Sequence, residues 1–285
     1  MTDHHIAFQG LPGAYSDMAC RAAYPDSTPL PCETFEDAFA AVAHGQAAVG
    51  MIPVENSLAG RVADIHHLLP GSGLHIVAEY FHRVRHQLLG VPGARVEDLR
   101  TVHSHIHALA QCRKLIRTLN LAPVVEADTA GAAADIAKRG DKSQAAIASS
   151  LAGETYGLEG LKTDIEDAEH NTTRFLIMAP EPVDPDPDEG PIITSFVFRV
   201  RNIPAALYKA LGGFATNGVN MLKLESYMLD GSFASTQFYA DIEGHPSAEP
   251  VRLALEELGF FSRSVNILGV YPAHPFRREN AKNGA

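Results

Sequence analysis

A proline-rich acidic segment divides the sequence into two parts. Residues 181–191 interleave four prolines with acidic side chains. Such a segment can neither pack into a core nor pair in a sheet, so the sequence predicts a stiff, solvated linker. It separates a first domain over residues 1–180 from a second domain over residues 192–273. The last stretch, residues 274–285, is polar and is expected to be a frayed tail.

Length, composition and charge limit what kind of protein this is. The chain has 285 residues, 46% hydrophobic and 20% charged, which is typical of a folded protein with about two domains. Its net charge of −11 argues against nucleic acid as a partner. We find no basic leader and no apolar stretch of membrane-spanning length, so we expect a cytoplasmic protein without a membrane partner. The cysteines lack metal or redox spacing and are expected to be reduced thiols with packing roles: Cys20, Cys32 and Cys112.

The first part alternates predicted strands and helices. Residues 5–10 form a predicted strand, and residues 47–54 form a buried one that ends in the polar run Glu55-Asn56-Ser57. Residues 74–91 are extended but too long for one strand, and they are suited to cross between two lobes. The alternation favours mainly parallel sheets covered by helices on both faces, with ligands bound beyond the strands' carboxyl ends. Further elements are predicted at 35–44, 62–69, 101–105, 108–119, 123–126, 130–139, 145–148 and 151–156.

A polar stretch, Asn171–Phe175, leads into an apolar strand. It carries an amide, two hydroxyls and a guanidinium on successive residues. The Arg174 guanidinium can bind a carboxylate through two hydrogen bonds, and a neighbouring hydroxyl can donate to a leaving oxygen. The stretch therefore indicates a site for a small oxygenated anion. An ordinary loop-to-strand junction is the alternative.

Two predicted helix starts also carry polar groups. Residues 10–13 form a glycine turn ahead of Ser16, and Ser104 is a predicted N-cap of the helix that follows it. Helix N-termini present unpaired N–H groups and favour anions. A plain strand-to-helix turn is an equally good interpretation of the glycine turn.

Three alternating histidines follow the strand predicted at 101–105. His103, His105 and His107 would share one face only if the chain stayed extended, and the helix predicted to begin here breaks that alternation. Acidic or other supporting partners for a metal are also missing from the pattern. We therefore expect no metal site.

The second part has a different element order. The pattern predicts strand, helix, strand, strand, helix and strand, which is the order of a ferredoxin-like unit. The predicted elements are 192–200, 205–216, 219–228, 233–242, 248–258 and 265–271.

Four motifs together resemble the prephenate dehydratase family. Residues 53–57 (PVENS) and 171–175 (NTTRF) match family motifs. Residues 10–16 (GLPGAYS) resemble the family's glycine loop, with proline one place later and Ala14 in the position of a common threonine. Residues 104–112 (SHIHALAQC) are similar to a further motif, with isoleucine and histidine in place of its proline and glutamine. The resemblance covers nearly the whole chain and implies an α/β fold whose catalytic domain has two lobes like those of periplasmic binding proteins.

The resemblance implies a reaction and a set of site residues. Prephenate would lose CO2 and its ring hydroxyl to give phenylpyruvate, on the route to L-phenylalanine. Aromatisation drives this step, so no cofactor is expected. Glu55 is open between a proton relay and a structural acceptor, Phe175 between substrate contact and core packing, and Asn171 between substrate contact and a turn cap. The implied catalytic residues are Thr173, Glu55, Asn56 and Ser57, and the implied substrate-binding residues are Ser16, Ser104, Asn171, Arg174 and Phe175.

The second part resembles the ACT regulatory domain, which implies phenylalanine as an effector and a homodimer or homotetramer. Residues 205–208 occupy the family's GALV position, and residues 225–228 occupy its ESRP position, with Tyr227 and Met228 replacing arginine and proline. Arogenate dehydratase is the nearer alternative function, and a non-catalytic sensor of small anions is the more distant one. The implied effector residues are Ala205, Ala206, Leu207, Tyr208, Asn220, Glu225 and Ser226.

Overall fold

The computed structural model describes residues 4–62, 65–201, 203–229 and 232–278. It has a mixed α/β fold that divides into two compact units. The first unit contains Met1–Val62 and Tyr80–Phe175, and the second contains Ala63–Glu79 and Leu176–Ala285.

Strands and helices alternate through the first part of the chain. In order they are β1 (His5–Gln9), α1 (Tyr15–Ala23), β2 (Thr28–Cys32), α2 (Phe35–Ala43), β3 (Val49–Asn56), β4 (Gly60–Arg61), α3 (Ile65–Leu68), β5 (His75–Arg83), β6 (Gln87–Gly90), β7 (Thr101–Ser104), α4 (Ile106–Gln111), α5 (Arg113–Thr118), β8 (Ala122–Val125), α6 (Thr129–Arg139), β9 (Gln144–Ala148), α7 (Ser150–Tyr156), β10 (Glu159–Lys162) and β11 (Thr172–Ala179).

These strands form two sheets. One has the order β2-β1-β3-β11-β5 with β4 paired to β3, and the other has the order β10-β6-β9-β7-β8. The prediction of parallel pairing is confirmed for β1 with β2 and β3, and for β7 with β8 and β9. β6 pairs antiparallel with β9 and β10, which a mainly parallel pattern allows, and β10 is an additional strand that the pattern does not predict. The extended stretch 74–91 forms β5 in one sheet and β6 in the other.

Helices cover both faces of the second of these sheets. Ala145 and Ile147 of β9 pack in a cluster with α4 and α5 residues, while Ala146 and Ala148 pack in a cluster with α6 and α7 residues. Alternate residues of one strand thus enter opposite cores. Cys112 lies in the first cluster, and burial raises the pKa of its thiol, as expected of a packing residue. All three cysteines are free thiols.

The remaining elements follow the order that the sequence predicts. They are β12 (Ile192–Val200), α8 (Ala206–Thr216), β13 (Met221–Leu229), β14 (Ser232–Glu243), α9 (Glu249–Phe261) and β15 (Ser262–Pro272), and the strands form an antiparallel sheet in the order β13-β14-β12-β15. Phe196, Phe198 and Ile242 pack on one face against α8 and α9. No helix of the described ranges is long and apolar enough to cross a membrane.

The predicted fraying of the tail is wrong for residues 274–278. Arg277 donates from Nε and Nη2 to the two carboxylate oxygens of Glu79, at 2.6 and 2.8 Å. The backbone N–H of His274 donates to Glu79 Oε1 at 3.1 Å. Glu79 is only 4% exposed, and a carboxylate buried to that extent requires such partners. Residues 279–285 of the predicted tail lie outside the described residues.

Candidate active site

Asn56 connects the ends of two neighbouring strands, β3 and β11. Its Nδ2 donates to Asn171 Oδ1 at 2.8 Å and to Thr173 Oγ1 at 3.0 Å. Its Oδ1 accepts hydrogen bonds from the backbone N–H groups of Leu58 and Ala59, both at 2.9 Å. These two backbone donors fix the orientation of the amide, so Nδ2 must face Thr173. The Thr173 oxygen therefore acts as an acceptor toward Asn56, and its hydroxyl hydrogen can point elsewhere.

Ser57 forms hydrogen bonds with the turn that precedes β11. Its hydroxyl donates to the carbonyl of His170 at 2.7 Å and accepts from the backbone N–H of Thr172 at 3.0 Å. The backbone of Ser57 also donates to the Thr172 carbonyl at 2.9 Å. The hydroxyl donates to one backbone group and accepts from another, which favours a structural role for Ser57 over the predicted catalytic one.

Arg174 and Glu55 form an ion pair on the other face of these strands. Arg174 Nη1 donates to Glu55 Oε1 at 3.0 Å, and Arg174 is only 2% exposed. Successive strand residues point to opposite faces, so Arg174 cannot lie beside Thr173, nor Glu55 beside Asn56. The ion pair with Glu55, rather than the predicted grip on a substrate carboxylate, is thus the contact that the structure favours for Arg174. For Glu55 it favours the structural acceptor over the proton relay.

Two of the alternatives for residues 171–175 are now decided by burial. Phe175 is 1% exposed and is one of the largest fully buried side chains, so it packs in the core and is not a substrate contact. Asn171 is fully buried, and its amide bonds to other side chains, so it does not cap a turn.

Ser104 does not cap the helix that follows it. The strand β7 includes Ser104, and its buried hydroxyl donates to the carbonyl of Ile147 at 2.6 Å. The N-cap of α4 is His105, whose side chain accepts from the backbone N–H of His107. The predicted N-cap was wrong by one residue because Ser104 is still paired in β7 and the helix begins only at Ile106.

The glycine turn is built for close packing as well as for a helix start. Gly13 has φ +87°, and a Cβ atom there would lie 2.7 Å from Ala152 Cα. Its N–H donates to Asp17 Oδ2 at 2.9 Å, and its carbonyl accepts from the Ser149 hydroxyl. Ser16 is half-buried in the first turn of α1. The position of Gly13 thus requires glycine for contact with α7, whatever the turn binds.

Three residues that sequence reasoning missed extend the network from Asn171. Asn171 Nδ2 donates to Gln111 Oε1 at 2.9 Å, and His86 Nε2 lies 2.8 Å from the same oxygen. His86 Nδ1 lies 2.7 Å from the hydroxyl of Tyr15. Gln111 and Tyr15 stand inside the motifs compared above, but His86 lies in an extended stretch that gave no signal.

Burial shifts both titratable groups of this network toward their neutral forms. It lowers the pKa of His86, against smaller opposing effects of Gln111 and Glu166. It also raises the pKa of Tyr15 well above its ordinary value. The network around Thr173 is therefore uncharged at neutral pH and consists of amides, hydroxyls and one imidazole.

The three alternating histidines do not come together as ligands. His103 is buried and contacts Glu126 Oε1 through Nδ1 at 2.8 Å and Thr101 Oγ1 through Nε2 at 3.1 Å. His105 caps α4, as described above. Within the described part of the chain, no group of histidine, cysteine and acidic side chains is arranged to hold a metal ion.

The residues implied as effector contacts lie at the start of α8 and along β13, an edge strand of its sheet. Tyr208 is 82% exposed, whereas Ala206 is buried and Leu207 half-buried. Glu225 accepts from Lys223 Nζ at 3.3 Å, and Ser226 is exposed. The exposed Asn220 donates to Glu243 Oε2 at 3.1 Å. Ala205 has φ +58°, a left-handed conformation at the position where GALV has glycine.

Comparison with known proteins identifies the family. The prephenate dehydratase family matches residues 6–183. A bifunctional N-acyl-homoserine lactone acylase/prephenate dehydratase of Komagataeibacter europaeus is 58% identical, over 96% of this chain and 98% of the relative. Arogenate dehydratase/prephenate dehydratase 1 of Arabidopsis thaliana is 40% identical, over 94% of this chain and 71% of the relative.

A solved structure gives the same result. The prephenate dehydratase of Arthrobacter aurescens, in complex with L-Phe, superposes with a TM-score of 0.85 at 29% identity, over 94% of this chain and 89% of that one. The family consists of lyases. With these matches and the PVENS and NTTRF motifs brought together around Thr173, the chain belongs to the prephenate dehydratase family.

Proposed function

We propose that the Asn56–Asn171–Thr173 face carries out the decarboxylative dehydration of prephenate. The observation that carries the proposal is the hydrogen bond from Asn56 to Thr173 Oγ1, at 3.0 Å. Because the oxygen is occupied as an acceptor, the hydroxyl is polarised and its hydrogen is directed toward a ligand. A substrate oxygen placed there receives a hydrogen bond from Thr173.

The elimination requires a hydrogen-bond donor, here the Thr173 hydroxyl, at the departing oxygen. The carboxylate on the ring leaves as CO2, and its electron pair moves into the ring while the C–O bond of the ring hydroxyl breaks. The departing hydroxide takes a proton that solvent ultimately supplies and becomes water. One well-placed donor to the departing oxygen is worth about 3 kcal/mol. Ser16 in the first turn of α1 is the proposed contact for a substrate carboxylate, since a helix N-terminus favours anions.

The test follows phenylpyruvate formation from prephenate by Thr173→Val and Thr173→Ser. Valine keeps the shape of threonine but cannot donate, so we expect kcat to fall about 100-fold. Serine keeps the hydroxyl and is expected to retain part of the rate. A valine variant with near wild-type turnover would refute the role of the hydroxyl.

Arogenate is the alternative substrate. Relatives at about 40% identity carry both dehydratase names, so the family alone does not choose between a keto acid and an amino acid. Arogenate requires a partner for its ammonium group, and the side chains around Thr173 described above are uncharged. We therefore propose prephenate as the preferred substrate. The ratio of kcat/KM on the two substrates tests this preference, and a higher value on arogenate would reverse it.

We further propose that residues 192–273 form an ACT domain of ferredoxin-like type that binds L-phenylalanine. The order of its elements and its antiparallel sheet support the proposal, as does the Arthrobacter relative, which was solved in complex with L-Phe. From the resemblance of the first part to the prephenate dehydratase family, we also propose that its two sheets belong to two lobes of the periplasmic-binding type. Steady-state rates with and without phenylalanine test the effector role, and a flat response would remove it. The proposed residues are Ala205, Ala206, Leu207, Tyr208, Asn220, Glu225 and Ser226.

A cytoplasmic homodimer or homotetramer is proposed for the assembly. The free thiols of all three cysteines support a reducing compartment. Sedimentation velocity at several concentrations, with and without phenylalanine, measures the oligomer. A monomer under every condition would contradict this proposal.

A second activity, hydrolysis of N-acyl-homoserine lactones, is favoured by the 58% identity to the bifunctional relative over nearly both full lengths. Release of homoserine lactone from an acylated substrate measures it directly. The Thr173→Val variant then separates two possibilities. Loss of both activities places them at one site, whereas survival of the acylase activity requires a second site.

A further inference from the structure

A continuous series of side-chain hydrogen bonds leads from Thr173 to a buried histidine. It passes from Asn56 to Asn171, on to Gln111, and ends at His86. Each link measures between 2.8 and 3.0 Å, which is within the range of good hydrogen bonds. Residues far apart in sequence thus share one polar network inside the first unit.

The donor and acceptor roles in this series are fully determined. Leu58 and Ala59 fix the Asn56 amide, so Asn171 must present its oxygen to Asn56 and its Nδ2 to Gln111. Gln111 must then present its oxygen, and an amide oxygen only accepts. His86 therefore carries its hydrogen on Nε2, because that atom lies 2.8 Å from the Gln111 oxygen.

The second ring nitrogen is consistent with this tautomer. In neutral His86, Nδ1 is an acceptor, and the Tyr15 hydroxyl lies 2.7 Å from it. The hydroxyl has a single hydrogen, for which the Arg85 carbonyl, 3.0 Å away, competes with Nδ1, and the shorter contact with Nδ1 fits the tautomer that Gln111 requires. A flipped Gln111 amide would place its NH2 group against the N–H of His86 and the NH2 of Asn171. The imidazole thus holds Gln111 in one of its two orientations.

His86 is itself anchored through its backbone. Its N–H donates to Glu166 Oε2 at 2.9 Å, and its carbonyl accepts from the Ile165 N–H at 3.0 Å. The side-chain series is therefore held at two fixed ends, the turn after Asn56 and the segment at His86. Amide side chains do not pass protons, so the imidazole cannot act as an acid or base on a substrate through them.

We propose that His86 is a positioning residue for the elimination: its Nε2–H holds Gln111, and through Asn171 it keeps Asn56 aligned on the Thr173 hydroxyl. This inference rests on the function proposed for Thr173. It explains why a histidine that touches no part of the Thr173 face directly is buried at the end of the series.

Two substitutions of His86 separate positioning from general structural support. His86→Gln can place an amide N–H where Nε2–H lies, whereas the shorter side chain of His86→Asn cannot reach Gln111. We expect the glutamine variant to keep kcat within about threefold and the asparagine variant to lose about tenfold in kcat, with KM little changed. The buried His103 supplies the matched control, since its contacts are with Glu126 and Thr101: His103→Gln and His103→Asn should change the melting temperature without this difference in kcat.

A double-mutant cycle completes the test. If His86 acts through Thr173, His86→Asn should cause no further loss of kcat in a Thr173→Val background. Equal losses in the glutamine and asparagine variants, a wild-type kcat for His86→Asn, or a full additional loss in the Thr173→Val background would each overturn the positioning role. A Thr173→Val enzyme that is fully active on prephenate would instead refute the role proposed for the Thr173 hydroxyl, and a wild-type enzyme without activity on prephenate would refute the proposed function, so these failures are distinguishable from a failure of the positioning role.

Discussion

At the ends of β3 and β11, the two faces of the sheet carry different kinds of side-chain contact. On one face, Asn56, Asn171 and Thr173 form an uncharged network of amides and a hydroxyl. On the other face, Glu55 and Arg174 form an ion pair in which the arginine is almost fully buried. The β3 end contributes Asn56 to the first face and Glu55 to the second, whereas the β11 end contributes Asn171 and Thr173 to the first face and Arg174 to the second.

This difference indicates that the first face orients the Thr173 hydroxyl, whereas the second face stabilises the fold. Neutral amides have fixed donors and acceptors, so they can set the direction of one hydroxyl without opposing the charge of a dianionic substrate. A buried arginine instead requires its carboxylate, because an uncompensated charge is costly there. We therefore expect substitutions on the Thr173 face to reduce turnover and those on the Arg174 face to reduce stability.

The sharpest test of the first face is Asn56→Asp, which is nearly isosteric. Aspartate cannot donate, so the Thr173 hydroxyl would turn to donate to it, and its charge would repel the substrate. We expect kcat/KM to fall by roughly 10³-fold and the melting temperature to fall by only a few degrees, from the lost hydrogen bond to the buried Asn171. Kinetics on prephenate and thermal unfolding check the two parts. A loss of stability that matches the loss of activity would contradict the division between faces.

Glu55→Gln tests the second face. It removes the negative charge that faces the buried Arg174 but keeps an oxygen that can accept the hydrogen bond from Nη1. Because the Glu55 side chain is 32% exposed, the cost is smaller than for a fully buried pair, about 2 kcal/mol. We expect the free energy of unfolding in urea to fall by about this amount and kcat of the folded enzyme to stay within about threefold. If kcat fell as in Asn56→Asp while stability held, Glu55 would be a proton relay after all.

Ser57→Ala tests the exposed residue that directly follows β3. It removes the hydrogen bonds of the hydroxyl to the His170 carbonyl and from the Thr172 N–H, both of which are exposed, so we expect a loss of about 1 kcal/mol in unfolding free energy. Turnover should change by less than about threefold, because the hydroxyl is directed at the backbone. Urea unfolding and initial rates measure the two effects. A large kinetic effect at unchanged stability would restore the catalytic role first expected of Ser57.

Patterns of apolar residues predicted the element types well but not the partners of polar groups. The β12 strand and the α8 and α9 helices follow directly from periodicity and the positions of glycine and proline. Arg174 was expected at the site because a guanidinium can bind a carboxylate, yet it follows Thr173 in a strand, where successive side chains point to opposite faces. The five-residue motif therefore contributed Asn171 and Thr173 to the uncharged network and Arg174 to an ion pair on the other face.

Long-range pairings account for what the sequence did not reveal. His86 reaches the site through Gln111, and Glu79 meets Arg277 across a large separation in the chain. Neither contact can be predicted from the local sequence, because each depends on which strands and loops become neighbours in the fold. The antiparallel pairing of β6 and the presence of β10 were not predicted, for the same reason.

The smallest expected effect comes from Ala205→Gly. This substitution changes the unfolding free energy through backbone conformation and not through a side-chain hydrogen bond or ion pair. Ala205 has φ +58°, where an L-residue with a Cβ is strained by about 1 kcal/mol, and glycine is not. Glycine also makes the unfolded chain more flexible, which offsets part of the gain, so we expect stabilisation of about 0.5 kcal/mol. Urea unfolding measures it, and Ala206→Gly is the matched control, because Ala206 lies inside the first turn of α8, where glycine is unfavourable. Destabilisation by both substitutions would mean that Ala205 is not strained and that its side chain contributes packing, as Ala206 does.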